Sequence, residues 1–235
     1  PADVRIQVLT QAREHLIERT LQSIEGANNA IVHLYNSTST AQRKYVFKKS
    51  KDEIINLALD GVRLIKQYIT PKNKDIFLEY SPESFTGTEI DFSVEICNAV
   101  INEWAVSKPI IINLPATVEL FSPNIYADMI EYVSNQLTKR NDVTLSVHTH
   151  NDRGTGIAAS ELALLAGAQR VEGTLFGNGE RTGNLDIATM ALNLYSHGIE
   201  PTLNMTNINH MVQMYKQCTG MDIDSRHPYA GELVF

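Results

Sequence analysis

Short apolar, β-branched runs recur at residues 4–9, 30–34, 76–78, 110–113, 143–147 and 170–174, and a helical pattern separates each from the next. Six βα units follow. Ser50 and Glu53 read as a capping box ahead of Ile54, Ala58, Val62, Ile65 and Ile69, whose spacing of three or four residues lays one apolar stripe along a helix. Ser122-Pro123 marks another helix start, with proline at the first helical position, and Tyr126, Ile130, Val133 and Leu137 continue its stripe. Helices are expected to stop at Gly26, Gly167, Gly198 and Gly220, where glycine can take the left-handed conformation that closes a last turn.

Strands alternating with helices imply a parallel sheet with right-handed crossovers. Six units fit either an open doubly wound sheet or most of a (β/α)8 TIM barrel. The strand ends favour the barrel. Polar residues follow nearly every strand: Thr10 and Gln11, then His33 with Asn36, Ser37 and Thr38, then Ser81 and Glu83, Asn113 and Thr117, His148 and His150, and last Glu172. In a barrel all these ends converge on one rim, where active sites lie, whereas an open sheet gathers them at one switch point. The α/β fold expected is therefore a TIM barrel, here a fragment covering about strands 3–8, with the first two strands lying before Pro1. No linker-like or low-complexity stretch divides residues 1–235, so they read as one partial catalytic barrel domain.

Composition narrows the functional classes. With 235 residues and 43% hydrophobic content, the chain can bury a sizeable core. A net charge of −7 without a basic run argues against nucleic acid as a partner. No apolar stretch approaches the roughly 20 residues of a membrane span, and Pro1-Ala2-Asp3 leads into a strand-like run without a signal-peptide pattern, so a cytoplasmic location is expected. Cys97 and Cys218 lie far apart with no Cys-x-x-Cys spacing, and both read as reduced structural residues.

The chemistry concentrates at His148-Thr149-His150-Asn151-Asp152. Side chains alternate faces along a strand, so the two imidazoles point the same way. Imidazole is the commonest protein metal ligand, and two on one face can bind a divalent ion if oxygen ligands join them. A polar glycine loop, residues 177–184, follows one element later and is the expected source of those oxygens. Its glycines Gly177, Gly179 and Gly183 permit close backbone approach and exposed amides suited to a thioester or phosphate, and equally a tight βα turn. Glu180 could orient substrate or a metal ligand. His15, His197 and His210 fall on helices or their ends and read as structural.

Five segments, in order and each at a strand end, carry a family resemblance: Tyr35-Asn36-Ser37-Thr38-Ser39, Glu79-Tyr80-Ser81-Pro82-Glu83-Ser84, Asn113-Leu114-Pro115-Ala116-Thr117-Val118-Glu119, 148–154 and 177–184. Together they resemble the 2-isopropylmalate synthase family, in its longer form, over essentially the whole chain. Homocitrate synthase, citramalate synthase and the hydroxymethylglutaryl-CoA lyases share the His-x-His and the glycine loop, but look less like the Asn-Leu-Pro-Ala-Thr segment. The resemblance implies a metal-dependent condensation of acetyl-CoA with 2-oxoisovalerate to 2-isopropylmalate and CoA, the committed step of leucine biosynthesis. It implies His148, His150 and Asn184 as ligands of a divalent metal (Mg, Mn or Zn), Glu83 as the base or its support, and His33, Ser81 and Thr117 as the oxo-acid pocket. A homodimer of the full-length parent is implied as well. Arg226-His227-Pro228-Tyr229 also matches the family and receives no role.

Two departures stand beside the resemblance. The family's Asp-Arg-Glu-like or Arg-Asp-Gly segment on the first barrel strand, which provides an aspartate ligand and a catalytic arginine, has no counterpart here, and neither do its downstream subdomain and leucine-sensing domain. The chain alone is therefore expected to be weak or inactive. Three alternatives stay open: a related oxo-acid synthase, a barrel remnant without catalysis, and a metal-dependent hydrolase of the amidohydrolase type. In the last of these the His pair belongs on the first strand.

Overall fold

A computed structural model describes residues 4–27, 29–69, 76–104 and 109–234; Pro1-Ala2-Asp3 lies outside them. Strands β1 (Ile6–Gln11), β2 (Ala30–Ser37), β3 (Ile76–Glu83), β4 (Ile110–Ala116), β5 (Val143–Thr149) and β6 (Arg170–Glu172) form one sheet. Its order is β1-β2-β3-β4-β5-β6, and every pairing is parallel. A doubly wound sheet reverses direction at a switch point. This one never reverses, which is the winding of a barrel wall, and the expected partial TIM barrel is what the chain forms.

Helices α1 (Glu14–Ser23), α2 (Lys51–Tyr68), α3 (Ile90–Trp104), α4 (Pro123–Gln136) and α5 (Gly156–Leu165) fill the crossovers, and α6 (Ile187–Ser196) and α7 (Ile208–Thr219) follow β6. The Ser50 hydroxyl accepts from the Glu53 amide, and the Glu53 carboxylate accepts from the Ser50 amide, so α2 starts at the expected capping box. Its stripe Ile54, Ala58, Val62 and Ile65 is fully buried. Proline 123 opens α4 as expected, and Tyr126, Ile130 and Val133 are buried in the same core. All four expected stop glycines have positive φ, from +69° to +105°.

Strands β2 to β5 start where expected and run on by two to five residues, to Ser37, Glu83, Ala116 and Thr149, and the two outer strands differ otherwise. β1 runs from Ile6 to Gln11 rather than 4–9, and β6 ends at Glu172, after which Thr174 makes only an isolated bridge to Asp186. Thr174 is held by the residue that caps α6, where the Asp186 side chain accepts from the Ala188 and Thr189 amides. Both cysteines are free, but only Cys97 is buried; Cys218 is exposed on α7 and does no packing, against expectation. Among the described residues no helix is long and apolar enough to cross a membrane.

The strands divide by period two. Ala30, Val32 and Leu34, with Ile110, Ile112 and Leu114 and with Leu145 and Val147, join the helices in the main apolar core. The alternate positions, Gln7, His33, Glu79, Ser81, Asn113, Ser146, His148, Arg170 and Glu172, present a polar face on the other side. Behind the glycine loop a smaller apolar cluster joins Phe176, Ala188 and Tyr215. The Arg226–Tyr229 motif docks there. His227 lies edge-on to Phe176 and 3.4 Å from the Asp186 carboxylate, and the Tyr229 hydroxyl donates to Asn193 at 2.8 Å.

Candidate metal centre and adjoining pocket

His148 is the second-last residue of β5, and His150 follows the strand end, where its backbone bridges to Asn184. The two rings lie 5.1 Å apart, centroid to centroid. The Asn184 side-chain amide is 2.9 Å from His148 Nε2. A carboxamide's nitrogen and oxygen are distinguished only by their partners, so a half-turn presents Oδ1 to the same point. Nδ1 of His150 is buried and has no hydrogen-bond partner among the described residues. Burial, then the neighbouring His148, lowers the His150 pKa to about 4, leaving the ring neutral as a ligand must be. Two imidazoles, one with an orphaned nitrogen, and one amide oxygen fit a divalent ion of intermediate hardness. The three residues expected to bind metal are thus brought together.

A cavity of about 310 Å3 opens beside them. The expected pocket residues His33, Ser81 and Thr117, the candidate base Glu83, and Glu180 all line it, with Leu9, Tyr35 and Pro115 supplying an apolar flank. Burial lowers the His33 pKa to about 4, so this ring is neutral too. Its Nδ1 faces the Gln7 side-chain amide at 2.9 Å, and its Nε2 lies 2.7 Å from the Ser81 hydroxyl. With the Gln7 amide donating to Nδ1, Nε2 carries the proton and donates to Ser81, which also accepts from Asn113 at 3.0 Å. Ser81 is left with a donor to offer the cavity. Thr117 Oγ1 accepts from the Ser84 amide at 2.9 Å, so its proton is free as well. Glu83 accepts a short hydrogen bond from Ser37.

The glycines are placed differently. Gly177, Gly179 and Gly183 are not part of the cavity lining; they build the turn that aims Asn184. The Gly183 amide donates to the Glu180 carbonyl at 2.9 Å and the Asn184 amide to the Gly177 carbonyl at 3.2 Å. A Cβ on Gly179 would stand 1.7 Å from Asn184 Oδ1, so only glycine leaves that carboxamide room. Glu180 is 76% exposed at its side chain and pairs with Arg181. The carboxylate placed to orient the expected ligand His148 is Glu172, whose Oε2 lies 2.9 Å from His148 Nδ1 and so turns Nε2 toward Asn184.

Glu172 belongs to a buried network that the sequence reading did not assemble. Arg170 Nη1 donates to Glu172 at 2.9 Å, to Ser146 at 2.8 Å and to Glu79 at 3.3 Å, while Nη2 donates to Gln7 at 2.7 Å. Burial, then the charge of Glu172, pushes the Glu79 carboxyl up to about 9. Burial pushes Glu172 upward as well, but the His148 hydrogen bond and its other partners outweigh it and hold that carboxyl well below the usual range. The network therefore carries one negative charge opposite one guanidinium. Ligand atoms of His33, Glu79 and Glu172 converge within 4.8 Å and could on chemistry alone hold a cation, yet the Arg170 guanidinium already lies against both carboxylates. The signal for this network was present in sequence: within the apolar runs, Gln7, His33, Glu79, Ser81, Asn113, Ser146, His148, Arg170 and Glu172 fall on alternate positions.

The chain is 58% identical to the 2-isopropylmalate synthase of Clostridium acetobutylicum and 55% identical to that of Helicobacter hepaticus, aligned in each case over all of this chain. It spans 43% and 42% of the length of those relatives. Among solved structures, the hydroxymethylglutaryl-CoA lyase of Pseudomonas aeruginosa superposes with a TM-score of 0.71 at 16% identity, covering 95% of this chain and 73% of that one. The lyase of Brucella melitensis gives 0.68 at 16% identity, covering 93% and 75%. At such identities the likeness speaks for the fold alone. The family described as HMGL-like matches residues 1–214, and the chain belongs to that family.

Proposed function

We propose that this site condenses acetyl-CoA with 2-oxoisovalerate to give 2-isopropylmalate and CoA, the first committed step of leucine biosynthesis. The observation that carries the reading is that one cavity holds the two-histidine, one-asparagine centre, two free hydroxyl donors, an apolar flank and a carboxylate. A divalent ion held by His148, His150 and Asn184, whether Mg, Mn or Zn, would polarise the ketone of the oxo acid. Ser81 and Thr117 donate to the substrate carboxylate, and neutral His33 keeps Ser81 turned for that task. Leu9, Tyr35 and Pro115 receive the isopropyl group.

Glu83 removes a proton from the acetyl methyl group, and the resulting carbon nucleophile attacks the ketone carbon, whose oxygen ends as a hydroxyl. Water then cleaves the thioester, releasing the CoA thiol. Position supports Glu83 as the base. It lines a second cavity of about 220 Å3 as well as the first, and that cavity's wall joins apolar Phe47, Ile54 and Leu57 to basic Arg13 and Lys49. An acyl-CoA entering there brings its methyl group to Glu83.

In this reading residues 1–235 belong to a barrel completed by further strands, because edge strand β1 exposes Ile6 and Leu9 at 60% and 59%. The working enzyme is a longer cytoplasmic homodimer, and this chain alone is weak or inactive. The test is CoA-thiol release by the full-length protein with acetyl-CoA, metal, and 2-oxoisovalerate, 2-oxoglutarate, pyruvate or no acceptor. Release that requires 2-oxoisovalerate and stops with chelator is expected. Preference for another oxo acid would keep the mechanism and change the substrate, and no release with any acceptor would refute the reading.

A further inference from the structure

Arg181, in the glycine loop, stands at φ +57, a left-handed conformation that residues with a Cβ rarely adopt. From that position its guanidinium reaches two other loops. Nε donates to Asp152 Oδ1 at 2.7 Å and Nη2 to Asp152 Oδ2 at 3.2 Å, a forked pair, while Nη2 also donates to the Thr117 carbonyl at 2.7 Å. Asp152 Oδ2 accepts in addition from the Glu119 amide at 2.9 Å. Glu119, itself buried, accepts from the Arg153 amide and the Thr155 hydroxyl. These bonds link the loop after β4, the loop after β5 and the glycine loop. Each of the three carries one working group of the site: Thr117, His150 and Asn184.

We infer that Arg181 is a positioning residue, which through Asp152 and the Thr117 carbonyl holds His150, Asn184 and Thr117 in the one arrangement that binds metal and oxo acid together. The inference rests on the synthase reading and adds to it. An exposed ion pair is ordinarily worth little; this one is forked, and it joins loops separated by 29 and 64 residues in sequence. The fork is the property lysine lacks, so charge alone cannot replace it. Arg181 does not line the cavity and makes no hydrogen bond to the expected ligands; its charge is felt at His150, and its hydrogen bonds act on the loops it ties.

The test uses the full-length protein with Arg181→Lys, Arg181→Ala and Asp152→Asn, and Arg63→Ala, which breaks surface ion pairs of α2 with Asp60 and with Glu103 on α3, as the control. Mn2+ affinity is measured by calorimetric titration without substrate, and KM for each substrate is measured separately. For Arg181→Ala and Asp152→Asn we expect Mn2+ affinity and the KM for 2-oxoisovalerate each to worsen by about tenfold, the lower end for residues that orient metal ligands. The KM for acetyl-CoA stays within about twofold, Arg181→Lys recovers part of the loss, and Arg63→Ala changes neither, as befits surface pairs that touch none of the site's loops. Unchanged Mn2+ affinity in Arg181→Ala and Asp152→Asn, or equal losses for both substrates, would overturn the inference while an active parent kept the synthase reading. A parent that neither binds Mn2+ nor releases CoA would overturn both.

Discussion

Two groups of ligand-type side chains lie side by side on the polar face, and they are finished in opposite ways. The inner group, His33, Glu79 and Glu172, converges within 4.8 Å and has the Arg170 guanidinium against it. The rim group, His148, His150 and Asn184, has no Lys or Arg ion-paired or hydrogen-bonded to it among the described residues, although Arg181 is near enough for its charge to be felt at His150, and it keeps an unpaired buried nitrogen on His150. Buried carboxylates require compensation, and the inner group obtains it from its own chain. Neutral imidazoles and an amide tolerate burial without a cation, so the rim can be folded before a metal arrives. Donor geometry alone does not mark a metal site; what distinguishes the two groups is whether the chain has already supplied the positive charge.

The largest effect should come from removing that charge. Arg170→Met leaves the charged Glu172 carboxylate buried without its guanidinium, beside a protonated Glu79, and should cost about 3–5 kcal/mol of stability in denaturant unfolding. A loss under about 1 kcal/mol would mean that the guanidinium is not what the inner group depends on. Glu172→Gln tests the link between the groups, because it weakens the hold on His148 Nδ1 without touching the ligand itself. Metal affinity should fall by about 10–100-fold, read by titration, with the apo fold intact.

The inner group also has a pH signature. Folded Glu79 keeps its proton to about pH 9 and the unfolded chain releases it near the ordinary value of 4.5, so the folded state binds more protons in that window and stability falls as pH rises. His33 acts oppositely between about 4 and 6.5, where the unfolded chain binds the extra proton and stability rises with pH. The two offset each other up to about pH 6.5, and above it the Glu79 decline remains, at most about 1.4 kcal/mol per pH unit. Urea melts of Glu79→Gln should lack that decline; an identical slope in both proteins would remove Glu79 from the account. Smallest is Gly179→Ala. The added carbon clashes chiefly with the Asn184 carboxamide, at 1.7 Å from Oδ1 and 2.7 Å from Cγ, and presses the Asn184 backbone amide at 3.2 Å, so the carboxamide must swing away and metal affinity should drop by about tenfold while the thermal midpoint moves little. A large loss of stability instead would make Gly179 a requirement of the turn rather than of the ligand.

Legibility in the sequence followed the distance over which each feature is decided. The α2 capping box, the apolar stripes and the stop glycines rest on neighbours within a turn or two, and all were readable. So was the His pair of the rim group, because His148 and His150 share one strand end; Asn184 came from the family resemblance rather than from a local pattern. The inner group was not assembled, because Gln7 and Arg170 meet across 163 residues and Arg170 and Glu79 across 91. No local pattern pairs them. Alternation along each strand did indicate which residues share the polar face, but which of them would touch depends on the register, which pairs Ser146 with Arg170 and His148 with Glu172. The loop ties of Arg181 were hidden for the same reason: a lone arginine in a glycine loop does not announce its partners.

We propose that the rim group, not the inner group, receives the metal. Calorimetric titration of Mn2+ into the full-length protein, compared with the His148→Ala/His150→Ala double variant and with Glu79→Gln, tests it most directly. The expected result is a bound ion that is lost in the double variant and kept with near-parental affinity in Glu79→Gln. Binding that survives loss of both histidines, or that disappears with Glu79→Gln, would contradict it.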